Sequence, residues 1–377
     1  MGKNAEDNVH TGKAMVHTLK AGGTAMRISL QNWERACKLH KEMAVADLHL
    51  DLPGELLFRH QHGEREVLKK HYLPLWQRSG IYLIGASVYV EDAALPEGGL
   101  RNALLQIAAL MEEIEELRGE VALIRNGADL LAAKERRRIG IFLYLEGLDV
   151  IGLDLSLLSL FRRLGVCGAS LTWSRPNLLA CGCCRAGEES PKYGGITEAG
   201  LRVLAEMKRL NMFLDLSHLN DEGIEMILKQ QASGAGSSLP FVLATHADAR
   251  EVYFHYRNLT EEQIEKIAEA GGIIGVNACT LLTGSVKDGK HLEWLLRHIR
   301  YLLKHAGGRG VGLGLDLCSR YEQARLECEG CGQGNDAFLS QEESLLLTAA
   351  LLEDGIPERQ VRGVLGENAF TFLEKIF

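Results

Sequence analysis

Eight short apolar segments recur along the 377-residue chain and constrain its fold more than any other feature. Most are apolar almost without interruption, which is typical of strands buried on both faces of a parallel sheet. Eight parallel strands are also the number that closes a (β/α)8 barrel. The segments occupy residues 43–51, 81–90, 139–147, 166–173, 211–218, 241–246, 271–278 and 310–316.

Amphipathic helical patterns fill the intervals between these segments. Residues 100–124 have helical spacing throughout, and Thr197 is a candidate N-cap for the helix that follows it. Thr260 and Gln263 form a capping-box pattern that opens another helix, and residues 357–377 predict a closing helix. Strands that alternate with helices predict an α/β fold with a parallel sheet. No Gly-x-Gly-x-x-Gly follows the first strand, so we favour a (β/α)8 TIM barrel over a doubly wound open sheet.

Composition excludes several classes of protein. The net charge of −8 argues against a nucleic-acid partner, and no uninterrupted apolar stretch of about 18 residues exists to span a membrane. The first 25 residues are polar and lack the apolar core of a secretion signal, so we expect a cytoplasmic protein. We interpret residues 1–25 as an N-terminal extension and a candidate for disorder, and residues 26–377 as a single barrel domain.

The first predicted strand carries two polar residues on one face. Side chains alternate along a strand, so His49 and Asp51 project to the same side. A buried imidazole and carboxylate without partners would be costly, and a divalent cation would satisfy both. Alone, however, a His-x-Asp pair is more often a pair of hydrogen-bonded surface groups.

Other apolar segments also end in residues that bind metals. Glu146, His218 and His246 each close a predicted strand, at the end where barrel enzymes build their active sites. With His49 and Asp51 they form a ligand set suited to zinc and large enough for two ions, which Glu146 could bridge. Asp316 ends the eighth segment. It is a candidate for proton transfer, a sixth ligand or a helix N-cap.

The nine cysteines include two clusters. One is Cys181, Cys183 and Cys184, and the other is Cys328 and Cys331. A fold that brought the clusters together could bind a structural metal or form a disulfide, but unpaired loop thiols are the favoured interpretation.

Several motifs together resemble the membrane (renal) dipeptidase family of binuclear zinc hydrolases. The similar segments run from about Met43 to Phe377. They are ADLHLDLP, YLEG, LDLSHLND, THADAR, RNLT, VGLGLD and VLGENAFTFLEKIF. The resemblance implies an amidohydrolase-like barrel that holds two Zn²⁺ ions and hydrolyses dipeptides, L-D dipeptides among them, through a hydroxide between the ions. It also implies a homodimer.

The resemblance further implies a role for each residue. His49 and Asp51 would bind one zinc, His218 and His246 the other, and Glu146 would bridge the two. Asp316 would transfer the proton. Arg257 would pair with the terminal carboxylate of the substrate, because its planar guanidinium matches a carboxylate bidentately.

Two positions depart from the family pattern. Trp173 stands where many members have a histidine that contacts the substrate, so oxyanion stabilisation would depend more on the metals, or on Asn177 or Arg175. Cys318 stands where the family often has a second aspartate.

Three alternatives remain open. The same site would suit another amidohydrolase-type enzyme, such as a deacylase, a lactonase or a phosphotriesterase-like hydrolase, but those relatives usually bridge their metals with a carbamylated lysine, and no predicted strand contains a lysine. A non-catalytic scaffold that keeps the fold is a second alternative, although all the ligand candidates are present. A redox or metal-sensing role for the cysteine clusters is the third.

Overall fold

The computed structural model describes residues 16–21, 24–183, 194–233, 239–330, 336–338 and 340–377. It contains eleven strands in these residues. Their bounds are β1 Val16–Ala21, β2 Thr24–Ser29, β3 Val45–Leu50, β4 Ile81–Tyr89, β5 Val121–Ile124, β6 Ile139–Glu146, β7 Val166–Ser170, β8 Phe213–Asp215, β9 Val242–Leu243, β10 Ile274–Val276 and β11 Val311–Leu313.

Eight of these strands form the predicted parallel barrel. Hydrogen bonds join them in the order β3, β4, β6, β7, β8, β9 at one side and β3, β11, β10 at the other. A parallel bridge between Ala244, just after β9, and Ile274 in β10 joins the two ends. Each of the eight predicted segments contains one barrel strand, which confirms the (β/α)8 fold.

Helices follow the strands and cover the barrel. The bounds are α1 Leu30–Glu42, α2 Leu52–Gln61, α3 Leu73–Ser79, α4 Gly99–Glu116, α5 Gly127–Glu135, α6 Ser156–Arg163, α7 Glu198–Arg209, α8 Asp221–Ala232, α9 Glu261–Glu269, α10 Thr280–Thr283, α11 His291–His305, α12 Ser319–Glu329, α13 Ser344–Glu353, α14 Glu358–Arg362 and α15 Asn368–Ile376. The predicted caps are confirmed: the Thr197 side chain accepts from the backbone of Gly200, and Thr260 and Gln263 form the capping box of α9.

Three local predictions were wrong. The helix predicted over residues 100–124 ends at Glu116, and Val121–Ile124 is a strand. This strand, β5, pairs with the first half of β6. The second half of β6 pairs with β7 along the same edge. The residues after the eighth apolar segment, 317–339, have no strand or helix pattern and are expected to form a long loop, but they contain α12. The closing helix is broken at Gly366, where a Cβ atom would lie 2.2 Å from the carbonyl oxygen of Ala44.

Aromatic side chains fill the barrel interior below the carboxyl ends of the strands. Phe142, Tyr144 and Phe213 are fully buried, with ring centroids about 6 Å apart. Layers of inward-pointing side chains make such a barrel a packed core rather than a pore. This core supports the polar residues that follow the strands.

The N-terminal part of the described chain forms a β-hairpin. Strands β1 and β2 pair in antiparallel fashion, so residue 26, the predicted domain start, lies inside the hairpin. Residues 1–15 lie outside the described residues, and the predicted division of the chain stays a prediction. Among the described helices, none combines the length and apolar character needed to cross a membrane.

Candidate metal centre

The structure brings all six candidate residues at the strand ends to one mouth of the barrel. His49 lies in β3 and Glu146 ends β6, while His218 and His246 each follow a strand by three residues. Asp51 and Asp316 complete the cluster; their side chains are about one-fifth exposed. The three histidines and Glu146 are buried.

Glu146 lies at the centre and its two oxygens face different partners. Its Oε1 lies 2.9 Å from Nε2 of His218 and 3.4 Å from Nε2 of His246. Its Oε2 lies 4.0 Å from Nε2 of His49. A carboxylate in this position can offer one oxygen to each of two ions.

The second half of the cluster surrounds His49. Its Nε2 lies 3.7 Å from Oδ1 of Asp51 and 3.3 Å from Oδ1 of Asp316. The other oxygen of Asp316 accepts a hydrogen bond of 3.0 Å from the amide of Asn277. Asp316 therefore borders the His49 side of the cluster and is held by Asn277, which directly follows the neighbouring strand β10.

Each histidine presents Nε2 to the centre because a polar group contacts its Nδ1. Tyr144 contacts Nδ1 of His49, the Ser174 hydroxyl lies 2.8 Å from Nδ1 of His218, and the Thr245 hydroxyl lies 2.8 Å from Nδ1 of His246. Such partners fix the ring orientation of metal-binding histidines and leave the other nitrogen free to ligate. No sequence pattern predicted these three partners.

A carboxylate behind the cluster extends one of these contacts. The Thr245 hydroxyl donates to Oδ2 of Asp215 at 2.6 Å, so it is available as an acceptor for the Nδ1–H of His246. Asp215 is fully buried and also accepts from the backbone of Thr245. These hydrogen bonds, from His246 to Thr245 and from Thr245 to Asp215, set the tautomer of His246.

The electrostatics of the cluster favour a bound cation. Burial, with Asp51 and Asp316 nearby, raises the pKa of Glu146 well above its ordinary value despite the opposing effect of His49. Burial lowers the pKa of His218 and His246 well below that of free histidine. Neutral imidazoles beside crowded carboxyl groups are the forms that a divalent ion stabilises.

Two residues of the cluster have backbone conformations that sequence patterns do not reveal. His218 has φ of 67° and Asp316 has φ of 54°, both in the left-handed region. Non-glycine residues adopt this region at a cost of about 1–3 kcal/mol, and they do so most often at functional sites. Both turns direct a side chain inward at the end of a barrel strand.

The donor atoms fit two metal positions that share one ligand. The candidate ligand atoms of Glu146, His218 and His246 lie within 4.8 Å of one another, and so do those of His49, Asp51 and Glu146. Imidazole nitrogen and carboxylate oxygen are ligands that zinc accepts. The residues present therefore fit a pair of divalent ions.

Arg257 lies beside the cluster at His246. Its Nη2 donates to the carbonyl oxygen of His246 at 2.7 Å, and the side chain is buried. Its Nε has no hydrogen-bond partner within the described chain. A buried guanidinium with an unused donor is suited to bind an anionic group of a ligand.

The other predicted substrate contacts divide into two kinds. Trp173 lies at the site, with its ring stacked on His218 at a centroid distance of 5.5 Å. Asn177 instead holds its own loop together: its amide donates to Leu171, and its oxygen accepts from Leu179 and Ala180.

Arg175 is also engaged elsewhere. It forms ion pairs with Asp92 at 3.0 Å and Asp149 at 3.2 Å. The geometry therefore lends no support to oxyanion binding by Asn177 or Arg175. In the sequence both residues look suitable for such a role, because only the fold shows that their side chains are already engaged in other contacts.

One residue of each cysteine cluster lies outside the described residues: Cys184 in the first cluster and Cys331 in the second. Among the described residues, Cys181 is half-buried and Cys328 is exposed, and neither belongs to a group that could hold a metal. Cys318, by contrast, lies at the site, with Sγ 3.8 Å from Asp51 and 3.7 Å from Asp316.

Comparison with known proteins agrees with this geometry. The family model for membrane dipeptidase, peptidase family M19, matches residues 33–376. Among curated proteins, the chain is 24% identical over 298 residues to dipeptidase tcpJ of Claviceps purpurea, covering 77% of this chain and 65% of that protein. It is 30% identical over 237 residues to dipeptidase aclJ of Aspergillus oryzae, covering 63% and 51%. The matched region thus spans less than two thirds of either relative.

Solved structures extend the similarity over most of the barrel. The dipeptidase AC, a metallopeptidase, superposes with a TM-score of 0.74 at 28% identity, covering 88% of this chain and 98% of that one. A metallopeptidase from Rhodobacter sphaeroides gives a TM-score of 0.73 at 27% identity, covering 89% and 99%. The match of the family model over nearly the whole chain and the metal-binding geometry lead to one conclusion: the chain belongs to the membrane dipeptidase family, peptidase family M19, whose members are metallopeptidases.

Proposed function

We propose that the protein is a metal-dependent dipeptidase that binds two divalent ions, zinc in both positions. The observation that carries this proposal is the placement of Glu146, whose two oxygens face separate groups of ligands. His49 and Asp51 would hold one ion, His218 and His246 the other, and Glu146 both. When bound, the ions would polarise the scissile carbonyl and activate a water molecule near neutral pH.

The substrate would be a short peptide with a free carboxyl end. Arg257 is buried beside His246 and has an unused Nε donor, so it would bind the terminal carboxylate. The Rhodobacter sphaeroides relative was solved with a phosphinate mimic of the dipeptide L-Ala-D-Ala. We therefore propose that this chain also accepts dipeptides with a D-residue at the carboxyl end.

Asp316 would move the proton. It borders the cluster through its 3.3 Å approach to His49, and Asn277 orients its second oxygen. Burial alone would raise the pKa of Asp316, but His49 and the hydrogen bond from Asn277 lower it overall. The carboxylate is then available to accept a proton from the attacking water and deliver it to the departing amine.

A substrate comparison tests the role assigned to Arg257. Hydrolysis of L-Ala-D-Ala and of its carboxyl-terminal amide would be measured in the wild type, in Arg257→Met and in Arg118→Met, a charge-matched control at a side chain that is 80% exposed. Loss of a charge-assisted hydrogen bond should lower kcat/KM for the dipeptide about 10- to 100-fold in Arg257→Met and change that for the amide little.

The control should behave like the wild type. Because Arg257 also contacts His246, metal content would be measured in each variant. An equal fall for dipeptide and amide, with metal content unchanged, would refute the carboxylate-binding role. The predicted homodimer and cytoplasmic location stay proposals, and the first can be checked by light scattering of the purified protein.

A further inference from the structure

A second group of metal-binding side chains lies between helices α9 and α11. Glu261 and Glu265 lie one turn apart on α9, and His305 is the last residue of α11. One candidate ligand atom from each of these three residues lies within 4.8 Å of the other two. The group shares no residue with the cluster at the strand ends, so the proposed dipeptidase activity gives it no role.

The imidazole of His305 has one nitrogen engaged and one without a hydrogen bond. Its Nδ1 lies 3.0 Å from Oε1 of Glu265, and because a carboxylate only accepts, Nδ1 carries the proton. Its Nε2 has no hydrogen-bond partner within the described chain, although the side chain is only 9% exposed. Buried polar atoms in folded proteins nearly always have a partner, so this nitrogen requires an explanation.

A carboxylate oxygen faces this nitrogen at a distance that suits two ligands of one ion. Oε2 of Glu261 lies 3.5 Å from Nε2 of His305. A lone pair that faces a carboxylate is repelled unless a cation, either a proton or a metal ion, lies between them. Charge-assisted N–H···O bonds are about 2.7–2.9 Å long, which is shorter than this separation. Two ligands at about 2.0–2.1 Å from a tetrahedral zinc ion lie about 3.4 Å apart, so a metal ion fits better.

Tyr301 holds both candidate ligands in place. Its ring stacks on His305 with the ring centroids 4.4 Å apart, and its hydroxyl donates to Oε2 of Glu261. Tyr301 lies one turn before His305 on α11, so two adjacent turns of α11 face two adjacent turns of α9. The imidazole and the carboxylate are therefore positioned in advance, which lowers the entropic cost of binding an ion.

The surroundings of the group carry an excess of negative charge. Oε1 of Glu251 accepts from the backbone N–H of Glu261 at 3.1 Å, which brings a third carboxylate to the group. Within the described chain, no lysine or arginine nitrogen lies within 4.0 Å of the carboxylate oxygens of Glu251, Glu261 or Glu265. Three carboxylates beside one imidazole attract a cation.

We propose that His305 and Glu261 bind a divalent transition-metal ion, above all zinc, through Nε2 and a carboxylate oxygen, with water molecules as the remaining ligands. Glu265 orients the imidazole through Nδ1, as carboxylates behind metal-binding histidines do. An imidazole ligand favours zinc over Mg²⁺, which prefers oxygen ligands. The ion links α9 to α11. Both glutamate side chains are about half exposed, so this ion should leave during dialysis while the buried cluster retains its own.

Equilibrium dialysis of the zinc-loaded protein against increasing free zinc tests the proposal. The proteins compared are the wild type, His305→Gln, Glu261→Gln and His71→Gln. His71 is the matched control, because its Nε2 also pairs with a carboxylate, that of Glu64 at 2.5 Å, but it belongs to no group of described residues that could hold a metal. We expect the wild type and the control to bind one ion per chain beyond those retained after dialysis. The free zinc concentration at the midpoint of this step should rise at least about 10-fold in the other two variants.

Thermal unfolding supplies a readout that an ordinary ion pair would not change. Zinc added to the dialysed protein should raise the unfolding temperature of the wild type and of His71→Gln more than that of His305→Gln and Glu261→Gln, because a bound ligand stabilises the folded state. Mg²⁺ at the same concentration should have no such effect. Hydrolysis of L-Ala-D-Ala should be equal in all four proteins, so this site and the proposed function can fail independently.

Equal zinc binding and equal zinc-dependent stabilisation in all four proteins would overturn the proposal and leave His305 as an ion-paired histidine. Stabilisation by Mg²⁺ as large as that by zinc would overturn the assignment to a transition metal. If His305→Gln does not fold, Glu261→Gln still decides, because its side chain is 50% exposed.

Discussion

Replacing Glu146 by glutamine changes one atom at the centre of the proposed metal site. An amide keeps one acceptor oxygen, so it can serve one ion at most, whereas the carboxylate offers Oε1 to the His218 side and Oε2 to the His49 side. The substitution also removes a negative charge. At a separation of about 4 Å and an effective dielectric constant near 20, that charge attracts a cation by about 4 kcal/mol per unit of cation charge. The expected loss is about 1000-fold or more in affinity for at least one ion.

The effect on stability distinguishes this explanation from misfolding. Burial raises the pKa of Glu146 well above its ordinary value, so ionisation of this carboxyl group opposes folding when no metal is bound. Metal-free Glu146→Gln should therefore unfold at the same temperature as the metal-free wild type or above it. Zinc should raise the unfolding temperature of the variant less than that of the wild type, because a bound ligand stabilises the folded state by an amount that grows with the logarithm of its affinity.

The assay combines metal analysis after dialysis, thermal unfolding with and without zinc, and dipeptide hydrolysis. We expect the variant to retain at most one ion per chain and to lose dipeptidase activity. Glu198→Gln, at a side chain that is 89% exposed, controls for the loss of a carboxylate and should match the wild type. A Glu146→Gln protein that retains two ions and full activity would rule out a bridging role for Glu146.

Three further predictions follow from single contacts. Asp316→Asn should lower kcat about 100- to 10,000-fold while metal content stays unchanged, because proton transfer and not binding is removed; kcat near the wild-type value would contradict that role. Asp215→Asn should weaken apparent zinc affinity about 10- to 100-fold in a competition titration, because Asp215 orients His246 through Thr245. Unchanged affinity would show that these hydrogen bonds do not contribute to metal binding. Burial lowers the pKa of His40 below 6.5, so the contribution of His40 to stability is lost as pH falls below that value. The difference in unfolding free energy between wild type and His40→Gln, measured by urea unfolding at pH 5 to 8, should therefore shrink toward acid. A difference that stays constant with pH would contradict this role of His40.

The barrel was predictable because its strands are buried on both faces. Such strands are continuous apolar segments, and the eight predicted segments each contain a barrel strand. Strand β5 was missed because Val121–Ile124 continues the apolar spacing of α4, and only its pairing with β6 makes it a strand. The break at Gly366 was missed for a similar reason, since the close approach of Ala44 is a tertiary contact.

The metal-binding residues were predictable because each is a polar residue at the end of an apolar segment. Their supports were not, since Tyr144, Ser174 and Thr245 are ordinary residues of a strand or loop until the fold places them against a histidine. Asn177 illustrates the opposite case, in which a suitable residue beside the site uses its amide within its own loop.

We propose that two catalytic ions are held by five residues, His49, Asp51, Glu146, His218 and His246. The most direct measurement is metal content per chain of the purified protein, followed through chelation and readdition of zinc together with hydrolysis of L-Ala-D-Ala. We expect two ions per chain, loss of hydrolysis when they are removed, and recovery that reaches its maximum at two equivalents of zinc. Hydrolysis that persists in fully metal-free protein, or protein that carries two ions and cleaves no dipeptide, would contradict it.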